Sequence, residues 1–290
     1  MSLYRNSVWF IKGLREYTKS GYEAAAQQFA PKDLDVDVSG KTFLITGANS
    51  GIGKATALEI AKQGGIVHLV CRNKERAEEA KAEIVKETSN EINNAGCMIN
   101  QRELTADQLE TNFATNTLGT YILTTALVPL LEKCEDARVI TVSSGGMLVQ
   151  KLNVDDLQFE KGRFDGTMAY AQNKRQQVVM TEQWAKIYKN IHFSSMHPGW
   201  ADTEAVRSSM PDFYTKMRNR LRTAAQGADT LVWLAISSMA AQQPSGLYFQ
   251  DRKPVSTHLV LAQTRATPAE EEKLMKSLEE LTANHKPDTT

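Results

Sequence analysis

Cysteine, net charge and long hydrophobic runs are all scarce in this sequence. Its three cysteines form no Cys-x-x-Cys pair, which favours a reducing compartment over a disulfide framework or a metal site. Lys plus Arg and Asp plus Glu number 34 each, so the bulk charge gives no reason to expect a nucleic-acid partner. No stretch approaches the ~20 apolar residues that span a bilayer. The start also lacks the pattern of a secretory signal. We therefore expect a cytoplasmic protein.

Short β-rich runs alternate with helical patterns along most of the chain. The sequence predicts strands at 42–45, 66–71, 138–143 and 192–196, and helices at 54–63, 73–88, 109–131 and 172–188, with another starting at Thr267. This alternation implies an α/β fold of the Rossmann type, a doubly wound parallel sheet with helices on both faces. We expect one such domain at 39–262, followed by a C-terminal helix and tail at 263–290.

Residues 1–38 precede this pattern and predict a helical, amphipathic extension. Apolar residues recur at helical spacing between basic ones; they are Phe10, Ile11, Leu14 and Tyr17. Two interpretations remain open. The helix packs on the domain, or residues 1–30 make a peripheral contact with a membrane surface.

A glycine-rich loop follows the first predicted strand and opens the first helix. Gly47 permits a tight turn, Gly51 lets the backbone approach a pyrophosphate, and Gly53 lets the helix pack closely on the strand. The helix start near Ile52 offers unpaired N–H groups to phosphates. We therefore predict a dinucleotide site that also includes Asn49 and Ser50.

The second strand ends in Arg72, followed by Asn73. Many NAD-specific enzymes place an acid there for the ribose 2′-hydroxyl, whereas a guanidinium suits a 2′-phosphate. The sequence thus favours NADP, with NAD as the second choice. The alternative is a solvated arginine at a strand end.

Tyr170 and Lys174 lie four residues apart at the start of the predicted helix 172–188, more than a hundred residues after the glycine loop. A phenol with a pKa near ~10 needs a nearby cation to act as an acid or base at neutral pH. Lys174 lies on the same helical face and is expected to supply it. The pair predicts a hydride-transfer enzyme with a small-molecule substrate.

Six motifs in order resemble the short-chain dehydrogenase/reductase family, in its retinol-dehydrogenase-like branch. They are Thr46-Gly47-x-x-x-Gly51-x-Gly53, Asn93-Asn94-Ala95-Gly96, Asn116-x-x-Gly119, Ser143-Ser144, Tyr170-x-x-x-Lys174 and Pro198-Gly199-x-x-x-Thr203, and the similarity runs from about Gly40 to Val255. The resemblance implies an NAD(P)-dependent carbonyl reductase or alcohol dehydrogenase.

The resemblance also implies a role for each matching residue. Tyr170 is the general acid or base, Ser144 rather than Ser143 binds the substrate oxygen, and Lys174 bonds the nicotinamide ribose. Asn116 holds a water that links Lys174 to solvent. Cofactor contacts are implied for Asn93, Gly96, Pro198, Gly199 and Thr203. His197, beside Pro198, is interpreted as structural.

One segment departs from the family pattern. Only about twenty residues separate the second strand from Asn93, where a βαβ unit of ~30 residues is expected. In the family's sheet the fourth strand lies between the first strand and the half that carries Tyr170. The sheet can be complete only if the chain crosses directly from the second strand to a strand in that fourth position. Otherwise the chain is an impaired isoform that acts as a binding or regulatory protein.

Residues 200–222 are predicted to cover the substrate. Their apolar and aromatic side chains suggest a lipophilic carbonyl or alcohol, although a core helix explains them as well; they are Trp200, Met210, Phe213, Tyr214 and Met217. The sequence leaves open whether the protein forms a homo-oligomer.

Overall fold

The computed structural model describes residues 2–70, 73–88 and 101–284. Six strands form two sheets. In the first, β1 and β2 are parallel; in the second, β3, β4 and β5 are parallel and β6 is antiparallel at the edge. Their bounds are β1 Thr42–Thr46, β2 Ile66–Val70, β3 Ala137–Val142, β4 Ile191–Met196, β5 Tyr248–Gln250 and β6 Lys253–Pro254.

Eleven α-helices surround these strands in the described part of the chain. They are α1 Ser2–Glu16, α2 Lys19–Ala26, α3 Gly51–Lys62, α4 Lys74–Thr88, α5 Gly119–Leu131, α6 Gly166–Ile187, α7 Glu204–Ser209, α8 Pro211–Met217, α9 Ala224–Ile236, α10 Ser238–Ala241 and α11 Pro268–Asn284. A π-helix at Phe113–Leu118 precedes α5, and a 3₁₀ turn at Gly145–Val149 follows β3. None of these helices is both long and apolar enough to cross a bilayer.

The two sheets are not hydrogen-bonded to each other within the described residues. Within the described residues β2 pairs only with β1, and the direct crossover from the second strand to the fourth position would run through residues that the structure does not describe. The predicted stub of strand around Ile92 lies outside the described residues. One face of the β1–β2 pair packs under α3 and α9, where Val67 and Leu69 are buried. On the opposite face Leu44, Ile66 and Val70 are 37% to 47% exposed.

The helix α4 follows the sequence prediction closely. Its Ala77, Ala80 and Ile84 are buried on one face, as their spacing predicted. Ile84 belongs to the apolar cluster of α3 and β2, and Lys54 of α3 forms an ion pair with Glu83. α4 is therefore held against α3.

The C-terminal half of the chain, which carries Tyr170 and Lys174, is built around α6. Trp184 of α6 packs on Phe193 of β4, and Leu274 and Leu278 of α11 are buried in the same cluster. α11 begins with a capping box, because Glu270 N donates to Thr267 Oγ1 (3.2 Å) and Thr267 N donates to Glu270 Oε2 (2.7 Å). The predicted N-terminal cap of this helix is thus confirmed.

The N-terminal helix α1 packs on the domain. Gly13 and the fully buried Tyr17 lie against Trp200. The predicted apolar stripe was only partly right, because Phe10 and Ile11 are exposed and the buried face runs through Gly13 to Tyr17. A helix with apolar residues on more than one face gives no unique inner stripe from its sequence.

Replacement of two leucines tests the uncovered face of the β1–β2 pair. Leu69→Ala empties a buried site and is expected to lower the free energy of unfolding by about 2–5 kcal/mol. Leu44→Ala removes a side chain that is 45% exposed and should cost about 1 kcal/mol or less. Chemical denaturation of both variants measures this, and equal losses would show that the Leu44 face is covered.

Candidate active site

α6 brings the predicted catalytic pair together. The helix begins cleanly because the Asp165 side chain accepts hydrogen bonds from Thr167 N and Met168 N. Tyr170 and Lys174 follow one turn apart, and Lys174 Nζ lies 5.4 Å from the centre of the Tyr170 ring. Both side chains are half-buried.

The two serines at the end of β3 have different surroundings. Ser143 is buried, and its hydroxyl donates to the backbone oxygen of Lys174 at 2.9 Å. Ser144 is half-buried and caps the following 3₁₀ turn, since its Oγ accepts from Gly146 N at 3.2 Å. Ser144 also lies close enough to Tyr170 to lower the pKa of that phenol. Of the two, Ser144 therefore adjoins the reactive phenol.

Burial shifts the proton affinities of the pair in opposite directions. It raises the pKa of Tyr170 to about 12 against a lowering by Ser144, so the lowering by Lys174 that the sequence predicted is not found. Burial lowers the pKa of Lys174 to about 8. At neutral pH Tyr170 is therefore a protonated phenol, and Lys174 remains mostly an ammonium group.

Lys174 is held by two acceptors, the backbone oxygen of Val142 and Oε1 of Gln177, both at 2.9 Å. The buried Gln177 amide in turn donates from Nε2 to the backbone oxygen of Asn116 at 2.6 Å. Asn116 lies in the π-helix, and its Nδ2 is 3.5 Å from Asn173 Oδ1. The Gln177 side chain therefore links Lys174 to Asn116. Gln177 was missed because it lies outside the family motifs.

The glycine loop has the geometry that was expected of a phosphate cradle. Gly47 and Gly51 have left-handed backbones, with φ of 74° and 55°. A Cβ at Gly53 would strike the backbone of Gly47, so this position admits no side chain. Ser50 makes no side-chain cap on α3, which leaves the helix start open toward an anion. Asn49 and Ser50 are half-buried in the loop.

The loop after β4 meets the glycine loop. A Cβ built on Gly51 would lie 3.0 Å from the Thr203 methyl group, so Thr203 sits directly over the cradle. Ile52 packs beside Gly227 of α9 on the other side. The structure thus brings Gly51 of the glycine loop close to Thr203 of the loop after β4.

Asn73 caps α4, because its Oδ1 accepts from Arg76 N at 2.8 Å. Arg76 forms an ion pair with Glu204, the residue after Thr203. The start of α4 therefore lies near the loop that carries Thr203. Arg72, Asn93 and Gly96 lie outside the described residues.

Arg222 fixes the Pro198-Gly199 turn. Its buried guanidinium pairs with Asp251 through Nη1–Oδ1 (2.6 Å) and Nη2–Oδ2 (2.9 Å), and also donates to Pro198 O at 3.3 Å. Gly199 has φ of 78°, and a Cβ there would strike the guanidinium. No sequence motif pointed to Arg222 or Asp251, since their contact joins distant parts of the chain.

His197 is fully enclosed beside this turn. Its Nδ1 accepts from Gly145 N at 2.9 Å, and its ring lies 4.4 Å from that of Tyr17. Burial and nearby cations lower its pKa well below the usual value. A neutral histidine that holds the residue after Ser144 fits the structural interpretation. No cluster that could hold a metal ion occurs among the described residues.

The chain belongs to the short-chain dehydrogenase family, whose sequence profile matches residues 41–92 and 91–212. It is accordingly an NAD(P)-dependent oxidoreductase. It is 61% identical over 317 residues to human Dehydrogenase/reductase SDR family member 12, across 99% of this chain and 100% of that protein. Human Retinol dehydrogenase 12 is 32% identical over 255 residues, across 76% of this chain and 80% of the relative.

A solved structure supports the fold. The short chain dehydrogenase from Escherichia coli CFT073, solved with NADPH, matches with a TM-score of 0.58 at 20% identity, across 77% of this chain and 100% of the other. The alignment with the human relative is 317 residues long, whereas this chain has 290. The two stretches matched by the family profile meet at 91–92, where the sequence lacks its expected βαβ unit.

The pKa of Lys174 predicts a pH-dependent stability. Its folded pKa of about 8 lies below its ordinary 10.5, so the cost of burying the charged form is full below pH 8 and vanishes above 10.5. The free energy of unfolding should rise across that window, by about 3 kcal/mol at most, relative to Lys174→Met. Denaturation of both proteins between pH 7 and pH 10.5 measures this, and parallel curves would contradict the shift.

Proposed function

We propose that this protein reduces a lipophilic carbonyl compound with NADPH, or oxidises the corresponding alcohol, with Tyr170 as the general acid or base. The observation that carries the proposal is the joint placement of Ser144, Tyr170 and Lys174. Ser144 lies close enough to lower the pKa of the phenol, and the ammonium nitrogen of Lys174 lies 5.4 Å from the centre of its ring. When bound, the nicotinamide cofactor supplies or accepts the hydride.

The protonated state of Tyr170 suits the reducing direction. A phenol with a pKa of about 12 keeps its proton at neutral pH and can donate it to a carbonyl oxygen that becomes negative. Ser144 donates a hydrogen bond to the same oxygen and stabilises that charge. The positive charge of Lys174 lowers the cost of the phenolate that remains.

The residues of the glycine loop fit a dinucleotide. A helix start without a side-chain cap from Ser50, the left-handed Gly47 and Gly51, and Gly53, which leaves no room for a Cβ, form a cradle for a pyrophosphate. Gly47, Asn49, Ser50, Ile52 and Gly53 would line it. Thr203 above the cradle would hold the carboxamide end, beside Pro198 and Gly199, and Lys174 would bond the ribose. Asn93 and Gly96 would line the same ribose, by family resemblance.

We propose NADP as the preferred cofactor. Arg72 follows β2, where a guanidinium suits a 2′-phosphate, with Asn73 beside it. The similar E. coli dehydrogenase was solved with NADPH.

The aromatic residues of the predicted lid support the proposal that the substrate is lipophilic. Trp200, Phe213 and Tyr214 form one aromatic cluster with α1, and the rings of Trp200 and Phe213 lie 5.1 Å apart. The chain is similar to a protein named as a retinol dehydrogenase. An inactive binding or regulatory isoform is less favoured, because the catalytic side chains meet despite the separated sheets.

Substitution of Tyr170 tests the catalytic assignment. Tyr170→Phe removes one hydroxyl, and we expect kcat to fall by about 10²–10⁴-fold while NADPH binding stays unchanged. Activity on a panel of lipophilic ketones and nicotinamide fluorescence measure the two effects. Tyr188→Phe, the same change at the end of α6, is the matched control. Normal turnover by Tyr170→Phe would refute the assignment.

Substitution of Arg72 tests the cofactor preference. Arg72→Glu replaces a partner of the 2′-phosphate with a repelling charge, so the Kd of NADPH should rise about tenfold or more, and that of NADH far less. Fluorescence titration of both cofactors measures this. Arg163→Glu, the same change in an exposed loop, is the control. Equal weakening of both cofactors would mean that Arg72 does not contact the phosphate.

A further inference from the structure

Two distant segments of the chain expose large apolar side chains. Leu3 and Ile11 on the outer face of α1 are 79% and 67% exposed, and Val260 and Leu261 in the turn after β6 are 77% and 78% exposed. These are the four most exposed large apolar residues in the described part of the chain. Such residues usually occur singly, so their concentration in two segments calls for a physical reason.

The two segments are fastened to each other. Tyr4 Oη of α1 donates to the backbone oxygen of Val260 at 2.9 Å. Arg5 Nε donates to Ala262 O at 2.7 Å, and its Nη2 donates to Gln263 O at 3.3 Å. The four apolar side chains and Tyr4 therefore belong to one surface, which we call the apolar edge.

The backbone of the turn holds the side chains of Val260 and Leu261, its apolar tip, toward solvent. Leu259 and Ala262 are buried, while Val260 and Leu261 between them face solvent. Leu261 and Gln263 have left-handed backbones, with φ of 59° and 51°. That conformation is unfavourable for residues other than glycine and persists only where the surroundings enforce it. The exposure of Val260 and Leu261 is thus a feature of an anchored turn.

Both segments are basic, although the whole chain is neutral. Residues 2–15 contain Arg5, Lys12 and Arg15 and no acid, and residues 252–269 contain Arg252, Lys253 and Arg265 and no acid. Arg15 and Arg265 are exposed, and neither forms an ion pair with another described residue. The apolar edge therefore lies on two stretches whose positive charge is not offset within the segment.

We propose that the apolar edge binds the surface of an anionic lipid bilayer. α1 is 15 residues long, about 22 Å, which suits a helix that lies in the interface. Its outer apolar side chains and the Val260–Leu261 tip would enter the headgroup region, and Arg15 and Arg265 would face lipid phosphates. A bilayer fits these observations because apolar and basic groups are combined on two separate convex elements.

Vesicle binding by the full-length protein tests this proposal. We expect co-sedimentation with vesicles of phosphatidylcholine and phosphatidylserine, little with phosphatidylcholine alone, and release by high salt. Leu261→Asn, which suits a left-handed backbone, and Ile11→Gln, which suits a helix, should each lower the partition coefficient about tenfold. Arg15→Gln with Arg265→Gln should abolish the preference for phosphatidylserine.

Leu130→Gln is the matched control, since Leu130 is an exposed apolar residue of α5 and its replacement should leave binding unchanged. Thermal melts of every variant show that the fold is retained. Equal binding to both vesicle types, or normal binding by Leu261→Asn and Ile11→Gln, would overturn the proposal. Vesicle-independent self-association that Leu261→Asn removes would also overturn it and assign the edge to a second copy of the chain.

Discussion

The buried pair of Arg222 and Asp251 is the constraint on which much of the site depends. A guanidinium that is 1% exposed is tolerated only when its N–H groups are bonded. Here they bind the carboxylate and three backbone oxygens, those of Glu16, Thr18 and Pro198. One side chain thus fastens the N-terminal segment to the turn beside the cofactor cradle. Removal of one partner from a buried pair costs about 3–5 kcal/mol, so this junction is not easily replaced.

This junction makes the N-terminal helix part of the active-site wall. Tyr17, just after α1, packs on His197, which binds the backbone of Gly145 next to Ser144. Tyr17 O also accepts from Trp200 N at 2.8 Å, so the same residue supports the predicted substrate lid. α1 is therefore connected to both Ser144 and the predicted lid through buried contacts. If the outer face of α1 rests on lipid, the predicted lid lies on the side of the molecule next to that interface.

The sequence predicted what local chemistry determines. Gly51 and Gly53 could be assigned because only glycine fits a backbone that approaches phosphate, and Tyr170 with Lys174 because a helix places such residues one turn apart. Arg222 and Gln177 could not be predicted, since their roles arise from contacts between segments that no local pattern relates. The division of the described strands into two sheets was not predicted, because strand pairing depends on which neighbours are present, not on a strand's own composition.

The amide of Gln177 has a consequence for the resting enzyme. A water between Lys174 and Asn116 would exchange with solvent and leave the lysine free to reorient, whereas a covalently tethered side chain does not diffuse away. The Lys174 ammonium group is therefore already oriented before a nucleotide binds. The lysine side chain then loses less rotational freedom on binding. A neutral amide also neither takes up nor releases protons near pH 7.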